Sequence, residues 1–131
     1  MNDYSEHLKR EMKDVNGFLG AAIVDSDSGM FLGICGENGD IDVEMEAAAN
    51  VEVMLAKYRV LEALNLEASV EDVLITLGRQ YHVLRPVHCK PSVLIYAALD
   101  KRAANLALAR MKIRDFENNL EDLSQVISPR T

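Results

Sequence analysis

The sequence predicts an α/β fold of the α+β kind: one five-stranded antiparallel sheet flanked by helices on both faces, in the order α-β-β-α-β-β-β-α. Three observations predict it. Three segments repeat apolar residues at helical spacing, and five short apolar runs are bounded by turn residues. Every link that joins one strand directly to the next, with no helix between, is too short for a crossover, so strands joined in this way run antiparallel. Three amphipathic helices then need both faces of the sheet for cover. The chain has 131 residues, of which 49% are hydrophobic. That length suits one domain with a sizeable core, without a disulfide or metal staple. Residues 1–123 read as that domain, and the polar segment 124–131 as a flexible tail.

The first helix is expected over residues 2–15, with Tyr4, Leu8, Met12 and Val15 on one face and Asn16-Gly17 ending it. Residues 18–25 (FLGAAIVD) and 30–35 (MFLGIC) read as a β-hairpin around the turn Ser26-Asp27-Ser28-Gly29. Gly20 and Gly33 inside these strands mark a bulge or a close backbone approach. The longest helix is expected over residues 41–64, with Asp40 as its N-cap. Ala47, Val51, Met54, Tyr58 and Leu61 define one apolar face, widened by Ala48, Leu55 and Val60. The small run Ala47-Ala48-Ala49 lets another backbone approach, so this helix is expected to be covered on two sides, by its own sheet and by a second subunit.

Three strands follow, over residues 71–78 (EDVLITLG), 81–87 (YHVLRPV) and 92–99 (SVLIYAAL). In the first, Val73, Ile75 and Leu77 share one face, and Asp72, Leu74 and Thr76 the other. Pro86 cannot donate to a ladder and marks a strand end or bulge. His88-Cys89-Lys90-Pro91 reads as the turn into the last strand. The final helix starts between Asp100 and Asn105, either of which could cap it, and buries Leu106, Ala109, Ile113, Phe116 and Leu120.

Composition narrows the function classes. The net charge is −7, from 14 basic and 21 acidic residues. Such a surface repels nucleic-acid phosphates and anionic lipid, and the basic residues (Arg79 with Arg85; Arg102, Arg110, Lys112 and Arg114) are not interleaved with aromatics. No apolar run approaches a membrane span, and residues 1–13 lack the core of a secretory signal. Two cysteines, Cys35 and Cys89, without a framework spacing suit a reducing compartment. The expectation is a cytoplasmic protein with no nucleic-acid partner and no membrane insertion.

Catalytic chemistry finds little footing. There is neither GxxxxGK[ST] nor GxGxxG after a strand; turn and packing roles account for Gly29, Gly33, Gly36 and Gly39. His82, His88 and Cys89 lie close in sequence, but no third ligand or orienting partner has a recognisable spacing. Cys35 reads as a small buried hydrophobe. Asp25, Asp27, Asp40, Asp42 and Glu44 lack calcium-loop spacing and suit turns and a helix N-terminus. Glu44, Glu46, Glu52 and Glu62 form the solvated side of the long helix, and Met45 and Met54 suit core or partner packing. No catalytic residue, cofactor or metal is expected.

The order of elements and three segments resemble the roadblock family, the roadblock-type dynein light chains and their bacterial relatives. The segments are VNGFLGAAIVD (15–25) with the following SDSG turn and MFLGIC, the Ala-rich EMEAAANVEVML (44–55), and LIYAALDKRAANLALAR (94–110). In the last, NLALAR resembles the family's N-L-G-L-x-R, with Ala107 where glycine is common. The resemblance covers residues 3–118. It implies a profilin-like sheet ordered 2-1-5-4-3, the long helix on one face and the other two on the opposite face. It also implies pairing through the third strand and the long helix, with two third strands joined edge to edge. Ala47, Ala48, Val51, Met54, Leu55, Tyr58, Val73, Leu74, Ile75, Thr76 and Leu77 are then the expected interface. An apolar edge at residues 72–77 pairs with another chain unless covered. Roadblock proteins are adaptors and regulators for small GTPases or motor complexes, so the implied partners are a second copy or a paralogous roadblock domain, and a Ras-like small GTPase. Glu44, Glu52, Arg59 and Glu62 are the candidate docking surface, and Arg59 and Arg79 the candidates for an arginine supplied in trans. The alternative is a small-molecule or signal sensor with a pocket between sheet and helix, with Tyr96 and His82 as its mid-strand polar groups.

Overall fold

Strands that are hydrophobic at successive positions, as in VLIYAAL (93–99), must be covered on two faces, and the architecture follows from that need. The structure, a computed structural model, describes residues 4–36 and 42–122. Along these run α1 (Ser5–Met12), β1 (Phe18–Asp25), β2 (Phe31–Cys35), α2 (Val43–Ala63), β3 (Val73–Thr76), β4 (Gln80–Val87), β5 (Lys90–Asp100) and α3 (Leu106–Asp122). The strands form one sheet ordered β2-β1-β5-β4-β3, with every neighbouring pair antiparallel. This is the expected order.

The central strand β5 shows how the two layers arise. Val93, Ile95, Ala97 and Leu99 point to one side, where they pack with Leu8 and Met12 of α1 and Ala109, Ile113, Phe116 and Leu120 of α3. Leu94, Tyr96 and Ala98 point to the other and meet Val43, Ala47, Val51 and Met54 of α2. Each fully buried Leu, Ile or Met contributes about 1.5–3 kcal/mol relative to exposure.

Several boundaries differ from the sequence expectation, each for a local reason. Regular α1 ends at Met12 rather than near residue 15, and successive turns (Val15 N–H to Met12 O, Phe18 N–H to Val15 O) carry the chain into β1. Gly17 therefore does not cap the helix; it sits at φ 77° where a Cβ would lie 2.9 Å from both Ala104 N and Asp100 O. The N-cap of α2 is Asp42, whose carboxylate accepts the Met45 N–H at 3.1 Å; Asp40, the expected cap, lies outside the described residues, as does the segment 124–131. The helix closes on Asn65 in the left-handed region (φ 56°), with Leu66 N–H donating to Leu61 O at 2.9 Å and Asn65 N–H to Glu62 O at 3.0 Å. Asn105 rather than Asp100 caps α3, accepting the Leu108 N–H at 3.1 Å. Only His88 and Cys89 separate β4 from β5; Lys90 and Pro91 belong to the strand, because Val87 pairs directly with Lys90. Pro86 stands at the expected irregularity, a register shift between Pro86 and Val87.

Candidate interaction surface

A five-stranded sheet has two edges, and this chain treats them differently. The β2 edge is closed by the chain itself. Tyr4 N–H donates to Leu32 O at 2.6 Å, and Ile34 N–H donates to Ser5 Oγ at 2.9 Å. Gly33 permits that approach, since a Cβ there would lie 3.0 Å from the Tyr4 carbonyl carbon.

Among the described residues nothing pairs with the outer side of β3. Leu77 N–H donates to Gln80 O at 2.8 Å, which fixes the ladder phase with β4. Given the pairing of Val73 with Leu84 and Ile75 with His82, the backbone groups of residues 73, 75 and 77 point inward, and those of Leu74 and Thr76 point out. Among the described residues no hydrogen bond reaches those outward groups. The side chains of Val73 and Ile75 pack partly against the α2 layer and Leu74 against the α1/α3 layer, while Thr76 and Leu77 are exposed.

Beside this edge α2 is apolar on two sides. Ala47, Val51 and Met54 are buried against the sheet of their own chain, with Leu55 and Tyr58 half-buried alongside. Of the helix residues expected at an interface, only Ala48 is fully exposed. The surface turned away from the core is instead Met45, Ala49, Val53, Ala56 and Val60, all exposed. The 49-53-56-60 spacing is helical too, but along the sequence Val60 reads as a widening of the core stripe, and the two faces are not told apart. Val53, Ala56, Lys57 and Val60 form one wall of a groove of about 520 Å³ whose other wall is Val70, Asp72 and Val73. Glu44, Glu52, Arg59 and Glu62 are exposed on a third side of the helix, and Arg79 is exposed in the β3–β4 turn.

Glu46 does not belong to the solvated side. Its carboxylate accepts the Tyr96 hydroxyl at 2.6 Å and lies 3.5 Å from His82 Nε2. The His82 ring also hydrogen-bonds Gln80 Oε1 at 2.7 Å and stands edge-on to the Tyr96 ring, centroids 5.4 Å apart. Burial, then the Glu46 carboxylate, pushes the Tyr96 phenol far above its ordinary range. Burial also lowers the His82 pKa, against the opposing pull of Glu46. Tyr96 and His82 thus find polar partners in Glu46 and Gln80 under α2. Burial pushes the Cys35 thiol up to about 11, and Cys89 is exposed on the hairpin. Among the described residues no group of three His, Cys, Asp or Glu side chains is placed to hold a metal ion, and no helix is long and apolar enough to cross a membrane.

No known family profile matches the sequence, and no curated protein matches it either. Solved structures do. MglB of Myxococcus xanthus superposes with a TM-score of 0.76 at 17% identity, over 93% of this chain and 87% of that one. A Roadblock/LC7 domain from Streptomyces avermitilis superposes with a TM-score of 0.79 at 11% identity, over 94% of this chain and 98% of that one. This chain has the roadblock fold. An MglB in a tetrameric arrangement gives a TM-score of 0.75 at 15% identity, over 92% and 86% of the two chains. In roadblock terms the open strand and the exposed seam are the third strand and the long helix, the elements that the sequence resemblance named for pairing.

Proposed function

We propose that the chain is a non-enzymatic, dimeric interaction module that serves as an adaptor or regulator of a Ras-like small GTPase. One observation carries the pairing: an unpaired sheet edge lies directly beside an exposed apolar helix seam, while the opposite edge is closed by the chain's own N-terminal turn. A two-fold partner would satisfy the outward Leu74 and Thr76 groups and cover Val53 and Val60 in one step. The occupant is a second copy or a paralogous roadblock domain; an MglB with this fold is found in a tetrameric arrangement. Two copies of α2 side by side would present Glu44, Glu52, Arg59 and Glu62 as a charged platform, and the adaptor role follows from the roadblock resemblance.

Light scattering and sedimentation of the purified chain test the pairing. A concentration-dependent dimer is expected, and Val53→Glu or Val60→Glu should return it to a single folded chain. The GTPase role is tested by immobilising the dimer and offering host extract loaded with GDP or a non-hydrolysable GTP analogue. Retention of a small GTPase in one nucleotide state is expected, and indifference to every GTPase in both states would refute the role. Should hydrolysis accelerate, Arg59→Ala and Arg79→Ala distinguish an arginine supplied in trans from ordering of the GTPase's own residues.

A further inference from the structure

The edge strand is short, just Val73–Thr76, and among the described residues it is paired on one side only. It follows a stretch, residues 64–69, that is exposed throughout. A four-residue strand supplied by such a linker loses conformational freedom whenever it presents its edge, and something must offset that loss.

The offset sits at Asp72, the residue just before the strand. Its side chain is only 9% exposed although it is charged. Arg110 of α3 grips it at two points, Nε to Oδ2 at 3.0 Å and Nη2 to Oδ1 at 2.8 Å. Arg85 of β4 lies 3.9 Å from the same carboxylate through Nη1 and donates through Nε to Glu117 at 2.5 Å. The second Glu117 oxygen accepts the His88 N–H at 2.7 Å, which joins the chain of charges to the backbone of the β4–β5 turn. Asp72 also forms part of the wall of the groove beside α2, and of a second cleft with Arg85, Arg110 and Arg114 on the α3 side. One carboxylate thus borders the surface offered to a partner and is held from the opposite face of the sheet.

We infer that Arg110 and Asp72 form a tether that pre-orders the edge strand for pairing, so that Arg110 is a positioning residue for self-association although it lies on the other face of the molecule. This rests on the pairing surface proposed above and deepens it. A planar guanidinium holding both carboxylate oxygens fixes direction as well as distance, which the point charge of a lysine does not. Cutting the tether frees the strand's N-terminal end in the unpaired chain, and that freedom must be removed again on pairing.

The experiment has two arms. The first reads amide hydrogen exchange of Val73 and Ile75, whose groups bond to β4, in a Val53→Glu background that keeps the chain single. Arg110→Gln and Arg110→Lys should each speed exchange at these amides, by about tenfold for the glutamine, with amides of β1 and β5 unchanged. The second measures dimer dissociation without the Val53 change. Arg110→Gln and Asp72→Asn should each raise Kd by about five- to tenfold, and the double variant by no more than the larger single effect, since the two share one interaction. Unchanged exchange at Val73 and Ile75 would overturn the tether. Faster exchange with an unaltered Kd would overturn its part in pairing. A wild-type chain that stays single overturns the pairing surface itself, a result separate from the exchange arm.

Discussion

Replacing Thr76 with proline isolates the backbone of the open edge from everything else in the chain. The Thr76 amide points away from β4, so its removal breaks no bond within the fold, and the exposed side chain gives up no core contact. Proline is tolerated on an edge strand for this reason. In a two-fold antiparallel pairing centred near Ile75, the outward groups of Leu74 and Thr76 on two strands form about four ladder hydrogen bonds. Symmetry makes the substitution count twice, so it removes about half of them. At roughly 1 kcal/mol net for each bond, the loss is about 2 kcal/mol, or about thirtyfold in Kd. Sedimentation across a dilution series reads the Kd, thermal melting at low concentration reads the single chain, and Thr76→Val, which keeps the amide, is the control. A folded Thr76→Pro chain that associates as tightly as wild type would show that pairing does not use this edge.

Two further expectations concern the polar cluster beneath α2. Tyr96→Phe removes a hydrogen bond to a carboxylate that retains access to water and should cost about 1–2 kcal/mol in denaturant unfolding; Glu46→Ala should cost more, because it strands a fully buried phenol. Stability should also fall with acid through His82. Its folded pKa lies below the ordinary 6.5, so folding favours the neutral ring. That contribution is fully present above pH 6.5 and is lost as pH drops below it toward the folded value, where the unfolded chain binds the extra proton. His82→Gln should flatten this limb of a stability-versus-pH curve, and an unaltered slope would remove His82 from the explanation.

Much of the fold was legible along the chain because apolar periodicity is a local property. The α3 stripe Ala109, Ile113, Phe116 and Leu120 lies in the core as its spacing requires, and Pro86 stands at an irregularity because it lacks an amide. The exposed apolar seam of α2 was legible only in part. Ala47, Val51 and Met54 are apolar at helical spacing, and that signal is the same for a residue facing its own sheet and for one facing a partner. The seam of Ala49, Val53, Ala56 and Val60 separates from it only when the helix is seen lying on β1 and β5. Glu46 read as a solvated charge and Glu117 was not singled out, since the partners of these carboxylates are 50 and 32 residues away in the chain.

What the sequence determined by itself is therefore the set of elements, their order and the need for a two-faced sheet, all consequences of short-range pattern and turn chemistry. Which sheet edge stays open was decided in three dimensions. Two strands of similar composition end the sheet; among the described residues the return of Tyr4 and Ser5 onto β2 closes one of them, while Arg110 reaches across to hold the start of the other. Backbone groups look alike in every sequence, and whether they find partners depends on what the folded chain brings within hydrogen-bond reach.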